Sequence, residues 1–314
     1  MRRVFDHVFG RGKPRKGSFA EYEQYFPLKG LGAHCEAVAH AVNEIACSPR
    51  LLTTEEADSL DIEFEPKIRG AQKWGISRLA DDLSAASLQT AGGILHSLGR
   101  LLKSDIRYPL TPSILARSAL ENSALVMYLN EDADSWIRTV RAVNVVVNGY
   151  ENSGGRNNES PYSEATADHI KMKQAFASQG YGKSQKLLNY TDLVAEYFDG
   201  FQGGEMYSRF NRSVHHNVVR QIELALAQDR DGRQNAVETF EIAIRAAIVV
   251  GVAAFSLQKF RHCSGIDVDP IHALRDVFED WNSYLDRQGK QGFVDSCQMR
   301  VFGTGVLGTR YCRV

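Results

Sequence analysis

The stretch EMYSRFNRSVHHNVVRQIE, residues 205 to 223, gathers Arg209, Arg212 and Arg220 with the adjacent pair His215 and His216. Arginine offers a fork of donors that fits phosphate oxygens, and histidine exchanges a proton near neutral pH. An arginine and a histidine one or two helical turns apart can hold a phosphodiester and do acid or base chemistry on it without a metal ion. At about 100° per residue from Arg209, Arg212 falls near 300°, His216 near 340°, Arg220 near 20° and Glu223 near 320°, while Val214, Val218 and Ala225 lie close to 160°. One face buries, and the opposite face stacks Arg209, Arg212, His216, Arg220 and Glu223. His215, at roughly 240°, sits on the boundary, where partial desolvation moves a histidine pKa most readily. The histidines thus point to different faces, and both stand as candidates. Read structurally, the same stripe is a solvated helix face with His215 hydrogen-bonded at a helix interface.

Other elements must hold that helix. Apolar residues recur at spacings of three and four nearly everywhere, and almost no segment alternates with period two, so the body of the chain is expected to be all-α and bundle-like. Residues 31 to 48 place Val38, Val42, Ile45 and Ala46 on one side and Glu36, His40, Asn43 and Glu44 on the other. A long helix is expected over 77 to 104, where the Gly92-Gly93 pair predicts either close helix packing or a kink. Thr111 as cap and Pro112 in the first turn predict the start of the next helix, and the acidic EDAD run precedes another at 135 to 150. Further helices are expected at about 163 to 178, 184 to 199, 232 to 261 and 270 to 287. The Gly-, Asn- and Ser-rich segment near 150 to 164 reads as an exposed loop, either inside one domain or between two helical halves. We expect a flexible basic arm over 1 to 20, one all-α domain over 21 to 290, and a tail over 291 to 314 that forms a small hairpin or an extended strap.

Composition narrows the function classes. With 37 basic against 38 acidic residues, no whole-chain field drives the protein onto nucleic acid or an anionic membrane, so such contact must come from a local patch. The arm supplies one, with Arg2, Arg3, Arg11, Lys13, Arg15 and Lys16 against Asp6, and serves either as a contact arm or as a solubilising terminus. It has no apolar core of a secretory signal. Five cysteines, at 35, 47, 263, 297 and 312, include no C-x-x-C pair, which fits a reducing cytoplasm and no structural zinc. The apolar run at 242 to 257 is shorter than the roughly 20 residues of a membrane span and contains Arg245, so it reads as a buried helix.

Arg209-x5-His215, or Arg209-x6-His216, resembles the Arg-x(4 to 6)-His signature of the HEPN superfamily (higher eukaryotes and prokaryotes nucleotide-binding). Those are all-α domains, often dimeric, and many are metal-independent ribonucleases of toxin and defence systems. Phe210 stands where that signature usually has Asn, Asp or His. The same stretch, as Tyr207-x-x-Phe210-Asn211-x3-His215, is similar to a Tyr-x-x-Leu-Ser-x3-His pattern of uncharacterised bacterial helical proteins, with Asn211 in place of the serine. Those proteins also carry Arg-x3-Glu on an earlier helix, here Arg117 and Glu121. The resemblance implies an RNA or nucleotide partner, a homodimer that brings two such helices together, no cofactor and no metal. It assigns catalysis to Arg209 with His215 or His216, and binding or orientation to Arg117, Glu121, Tyr207, Asn211, Arg212 and Arg220.

Three alternatives stand beside it. Arg117 and Glu121, spaced i, i+4, also fit a buried ion pair that orients a neighbouring helix. The protein as a whole fits a non-catalytic helical scaffold that acts through partners or self-association. Glu36, His40 and Glu44, spaced by four, could with the two histidines hold a metal in a helical oxidase, although no ferritin-type Glu-x-x-His pair is present.

Overall fold

The computed structural model describes residues 27–104, 110–131, 134–152, 163–181, 187, 189–214 and 232–263, together with 273, 275–277, 279 and 283. Of the described part 86% is helical and no sheet occurs in it, so the protein is all-α. The basic arm, the loop at 153–162, most of the expected 270–287 helix and the C-terminal tail lie outside the described residues.

Helix α1 (Leu28–Cys47) buries Val38, Val42, Ile45 and Ala46, the face its periodicity predicts. A helix that the apolar pattern does not reveal follows. Its first turn is closed by a capping box in which Thr53 accepts from the backbone of Glu56 while the Glu56 carboxylate accepts from Thr53, and it runs as α2 (Thr54–Phe64). One turn of helix, α3 (Ala71–Trp74), leads to α4 (Ile76–Lys103), which is joined back to α2 where Ser77 donates its backbone N–H to the buried Asp61, 2.9 Å away.

Helix α4 is continuous through Gly92-Gly93, and the outcome there is close packing rather than a kink. A Cβ on Gly92 would lie 3.3 Å from Val42 and 3.4 Å from the Ala39 carbonyl of α1, whereas Gly93 faces open space. The tightest point is further along. A Cβ on Gly99 would stand 2.6 Å from the Gly32 carbonyl oxygen, and one on Gly32 would stand 2.7 Å from that of Gly99. The α1–α4 crossing therefore needs glycine on both sides.

Helix α5 (Thr111–Asn130) begins one residue earlier than its sequence suggests. Thr111 is already helical, Leu110 occupies the cap position, and no side chain caps the end. Pro112, with no N–H to satisfy, falls in the first turn as expected. Helix α6 (Ser135–Asn152) places the acidic run outside the helix, and Asp134 accepts from the backbone N–H of Trp136 at 2.8 Å and of Ile137 at 3.0 Å. Helix α7 (Ser163–Phe176) continues into a wider turn, Ala177–Tyr181, that contains the left-handed Gly180. Helices α8 (Tyr190–Tyr197), α9 (Gly203–Val214) and α10 (Gly232–Gln258) complete the described chain.

Helix α4 lies at the centre, against α1, α5, α6 and α10, and α10 also packs on α1 and α5. The apolar helix is longer than the run at 242 to 257 alone: Ala236–Gln258 has 23 residues and contains an 18-residue window of mean hydropathy 2.0, enough by length and composition to cross a membrane. In the fold 78% of that window is buried inside the protein, and Phe240, Ile244, Val249 and Leu257 of the helix join the main core. A smaller apolar cluster, with Phe64, Ile68, Val140, Val147, Met172 and Phe176, lies between α2, α6 and α7.

A buried polar lock ties the main layers together. Asp81 of α4, 2% exposed, accepts from Arg138 of α6 at 2.6 Å. The same arginine nitrogen donates to the Asn130 side chain at 2.9 Å, and Asn130 in turn donates to Ser84 at 3.0 Å. The Arg138 guanidinium stacks 3.6 Å from the centroid of Phe260. Arg261 donates to the backbone carbonyls of Ser48 and Asp81, 3.1 Å each, and so fastens the end of α10 to α1 and α4. Buried charges persist only when paired and hydrogen-bonded, and this network meets that requirement for Asp81 and Arg138.

Candidate functional site

Helix α9 is held by a sharp reversal from α8. The chain passes through a single 3-10 turn, Asp199–Phe201, and Gln202 at φ 57°, and the Gly203 N–H donates to the Phe198 carbonyl at 2.8 Å. A Cβ on Gly203 would fall 2.5 Å from the Val194 carbonyl oxygen, so only glycine permits the turn. From there α9 lies against α5 and α8 and buries Met206, Tyr207 and Phe210. Of these only Tyr207, near 160°, falls at the centre of the face that the helical stepping assigns to the apolar side; Phe210 and Met206, near 100° and 60°, shift the buried face away from it, and the side chains of Val214, Val218 and Ala225 lie outside the described residues.

Tyr207 points at the Arg117–Glu121 pair of α5. Arg117 Nε donates to Glu121 Oε1 at 2.9 Å, and the Tyr207 hydroxyl donates to the same oxygen at 2.5 Å across 86 positions of sequence. The Arg117 guanidinium also stands 5.5 Å from the Tyr207 ring centroid, within cation–π range. A buried phenol needs an acceptor and a half-buried carboxylate needs a cation, and Glu121 meets both needs. Three residues named by the two separate patterns are therefore in contact.

Burial, followed by the hydrogen bond to Glu121 and that residue's charge, pushes the Tyr207 hydroxyl up to about 12, against the opposing influence of Arg117. The sign of the linkage follows. The folded state holds this proton more tightly than the unfolded chain, so its contribution is complete below the ordinary value of 10.0 and is lost as pH rises towards about 12. Burial also raises Tyr128, Tyr190 and Tyr197, so stability should fall broadly in alkali. Urea denaturation across this interval should show a fall steeper in the wild type than in Tyr207→Phe, by at most about 1.4 kcal/mol per pH unit. Equal slopes would show that Tyr207 titrates as it does in the unfolded chain.

Arg209 takes a different place from the one a free catalytic arginine would have. Its side chain, 41% exposed, faces Glu238 at 3.8 Å and Glu241 at 3.6 Å on α10. With Glu205 and Arg245 it lines a small pocket of about 40 Å³ between the two helices. Asn211, one turn beyond Tyr207, has its side-chain oxygen buried without a hydrogen-bond partner. The side chain of Arg212, and His215, His216 and Arg220 entirely, lie outside the described residues.

Of the α1 residues of the metal alternative, one is engaged by α4 and the other two pair with each other. Glu36 is 2.6 Å from Lys103 of α4, and His40 pairs with Glu44 at 3.2 Å. Among the described residues no three His, Cys, Asp or Glu side chains converge on one point.

One cluster has no signature in the sequence. Glu131, just past the end of α5, pairs with Arg141 of α6 at 2.9 Å and accepts from the Tyr197 hydroxyl of α8 at 2.9 Å. Burial first, and then the charge of Glu131, raises the Tyr197 hydroxyl far above the ordinary phenol value. Helix α5 thus carries two carboxylates, Glu121 and Glu131, each clamped by an arginine and a tyrosine, and together they fix α8 and α9 against it. Glu131 and its two partners sit on three different elements, so no spacing rule relates them.

The site belongs to an all-α protein in which an Arg–Glu–Tyr cluster anchors a polar helix. Comparison with known protein families, with curated proteins and with solved structures finds no match to this chain.

Proposed function

We propose that this chain is a HEPN-like helical protein that binds RNA and cuts it without a metal ion, with α9 and the residues that follow it as the working element. The observation that carries this reading is the hydrogen bond from Tyr207 to Glu121, itself paired with Arg117, because it joins the two sequence patterns the resemblance connects. In this reading Arg117, Glu121 and Tyr207 orient α9 and do not themselves react. Arg209, Arg212 and Arg220 hold phosphate oxygens. His215 or His216 takes the proton of a ribose 2'-hydroxyl, the 2' oxygen attacks phosphorus, and the 5' oxygen leaves with a proton, producing a 2',3'-cyclic phosphate and a 5'-hydroxyl.

The pairing of Arg209 with Glu238 and Glu241 is compatible with this role. Both contacts are longer than 3.5 Å on a side chain 41% exposed, and pairs of this kind contribute only about 0 to 1 kcal/mol, so a phosphate can displace them. A homodimer would bring two such helices together, and thiols rather than disulfides at Cys35, Cys47 and Cys263 fit a cytoplasmic setting. The test is RNA binding and cleavage by the full chain in excess chelator. Wild type should do both, and His215→Ala with His216→Ala should abolish cleavage, a loss of roughly 100-fold or more. A double variant as active as wild type would sink the reading.

The scaffold reading draws on two observations: the burial of Met206, Tyr207 and Phe210 and the contacts of Arg209 with α10 make α9 a packing helix in its own right. A protein that self-associates but binds no RNA would decide for it.

A further inference from the structure

Arg209, assigned to phosphate in the proposed function, turns its side chain towards α10. Its guanidinium lies 3.8 Å from Glu238 Oε1 and 3.6 Å from Glu241 Oε2, too far for hydrogen bonds and close enough for the charges to attract. Glu238 and Glu241 are spaced i, i+3 on one helix, so both can face a single guanidinium. The order of burial is informative. The two glutamate side chains keep 16% and 18% of their surface while the arginine keeps 41%, so Arg209 is the outer layer over two carboxylates that need its charge. The pocket at this place, which Glu205 and Arg245 also line, measures about 40 Å³, room for a few waters and not for a nucleotide. A phosphate therefore meets Arg209 only from the solvent side, against the field of two negative charges held within 4 Å of the cation.

We propose that Glu238 and Glu241 form an autoinhibitory contact: they occupy Arg209 as internal stand-ins for phosphate oxygens, and RNA must displace them before it gains this arginine. The inference rests on the reading of the chain as an RNA-binding protein and adds how α10 restrains it. Carboxylate and phosphate oxygens compete for the same guanidinium donors, so whatever the two glutamates hold is subtracted from the affinity for RNA. The restraint is light. Neither contact reaches hydrogen-bond length, and the arginine remains partly solvated.

The test uses the full chain, a fluorescently labelled single-stranded oligoribonucleotide, and Glu238→Gln combined with Glu241→Gln, which keeps side-chain size and removes both charges. The double variant should bind roughly 2- to 10-fold tighter than wild type. Deleting negative charge near bound RNA tightens binding by itself, so the same two changes are also made together with Arg209→Ala, where the gain should largely disappear. A second readout needs no RNA. Phenylglyoxal condenses with accessible guanidinium groups, and peptide mass spectrometry should show Arg209 modified faster in the double variant than in wild type. Glu241→Gln alone should move both readouts the same way by a smaller amount, which keeps the contact testable if the double variant does not fold. Unchanged affinity, an equal gain alongside Arg209→Ala, or an unchanged modification rate at Arg209 overturns the autoinhibitory contact while RNA binding stands. RNA bound by the variants and not by wild type would support it in its strongest form. If neither wild type nor the variants bind RNA, the reading beneath falls and the inference falls with it.

Discussion

Replacing Asp81 by alanine is expected to cost about 3 to 5 kcal/mol, because it strips the carboxylate from a site where Arg138 and Arg261 are themselves 8% and 7% exposed. Arg138 would keep Asn130 and the Phe260 ring but lose its counter-charge, in surroundings too dry for water to replace it. Since a domain of ordinary stability has only about 5 to 15 kcal/mol in total, urea denaturation should show a large drop in midpoint. The pair itself is a different matter. Asp81→Leu combined with Arg138→Met removes both charges, and the double variant should lose less than Asp81→Ala alone. A double variant that loses as much as the sum of its single changes would mean that Arg138 matters through its other partners and not through Asp81.

Two glycines six residues apart on α4, Gly93 and Gly99, should respond differently to alanine. At Gly99 the new Cβ would meet a backbone oxygen at 2.6 Å, and no side-chain rotation relieves a clash with backbone. The α1–α4 crossing must widen, which costs about 1 to 3 kcal/mol and outweighs or cancels the gain in helix propensity of about 1 kcal/mol. At Gly93 nothing lies within 4 Å, so Gly93→Ala should stabilise by roughly 0.5 to 1 kcal/mol. The spread of about 1 to 3 kcal/mol between the variants is read as a difference in thermal midpoints. Equal midpoints would contradict the close approach of α1 and α4.

These two cases also show what the sequence makes legible. Periodicity alone identifies the all-α class and the buried face of α1, because Val38, Val42, Ile45 and Ala46 recur at helical spacing on a helix with one solvated side. It identifies glycine pairs as points of interest, yet Gly92 and Gly93 look alike in sequence, and only the position of α1 separates the packed one from the exposed one. Asp81 carried an unread signal. It falls on the same stripe as Ser77, Ala80, Ser84 and Leu88, and a carboxylate at a core position requires a buried partner. Arg138 lies 57 positions away, and no spacing rule would have named it.

The candidate site divides in the same way. Arg117 and Glu121 are legible as a pair because both lie on one helix at i, i+4, but their contact with Tyr207 is not, since the patterns name these residues without joining them. The thrice-partnered surroundings of α9 were not legible. Arg209 meets Glu238 and Glu241 because of how α10 is rotated, and a helix that is apolar on most sides gives no sequence cue to its rotation. Thr111 illustrates the smallest scale of error: a good capping residue sits inside the helix because the chain turns helical at Leu110, one step earlier.

The central claim is that the anchored α9 and its histidines act on RNA, and metal-free cleavage is its most direct measurement. Full-length protein in excess chelator should cut a single-stranded RNA to fragments ending in a 2',3'-cyclic phosphate, and His215→Ala with His216→Ala should leave the RNA intact. RNA that remains whole in the presence of wild type, or that is cut equally well by the double variant, would contradict the account.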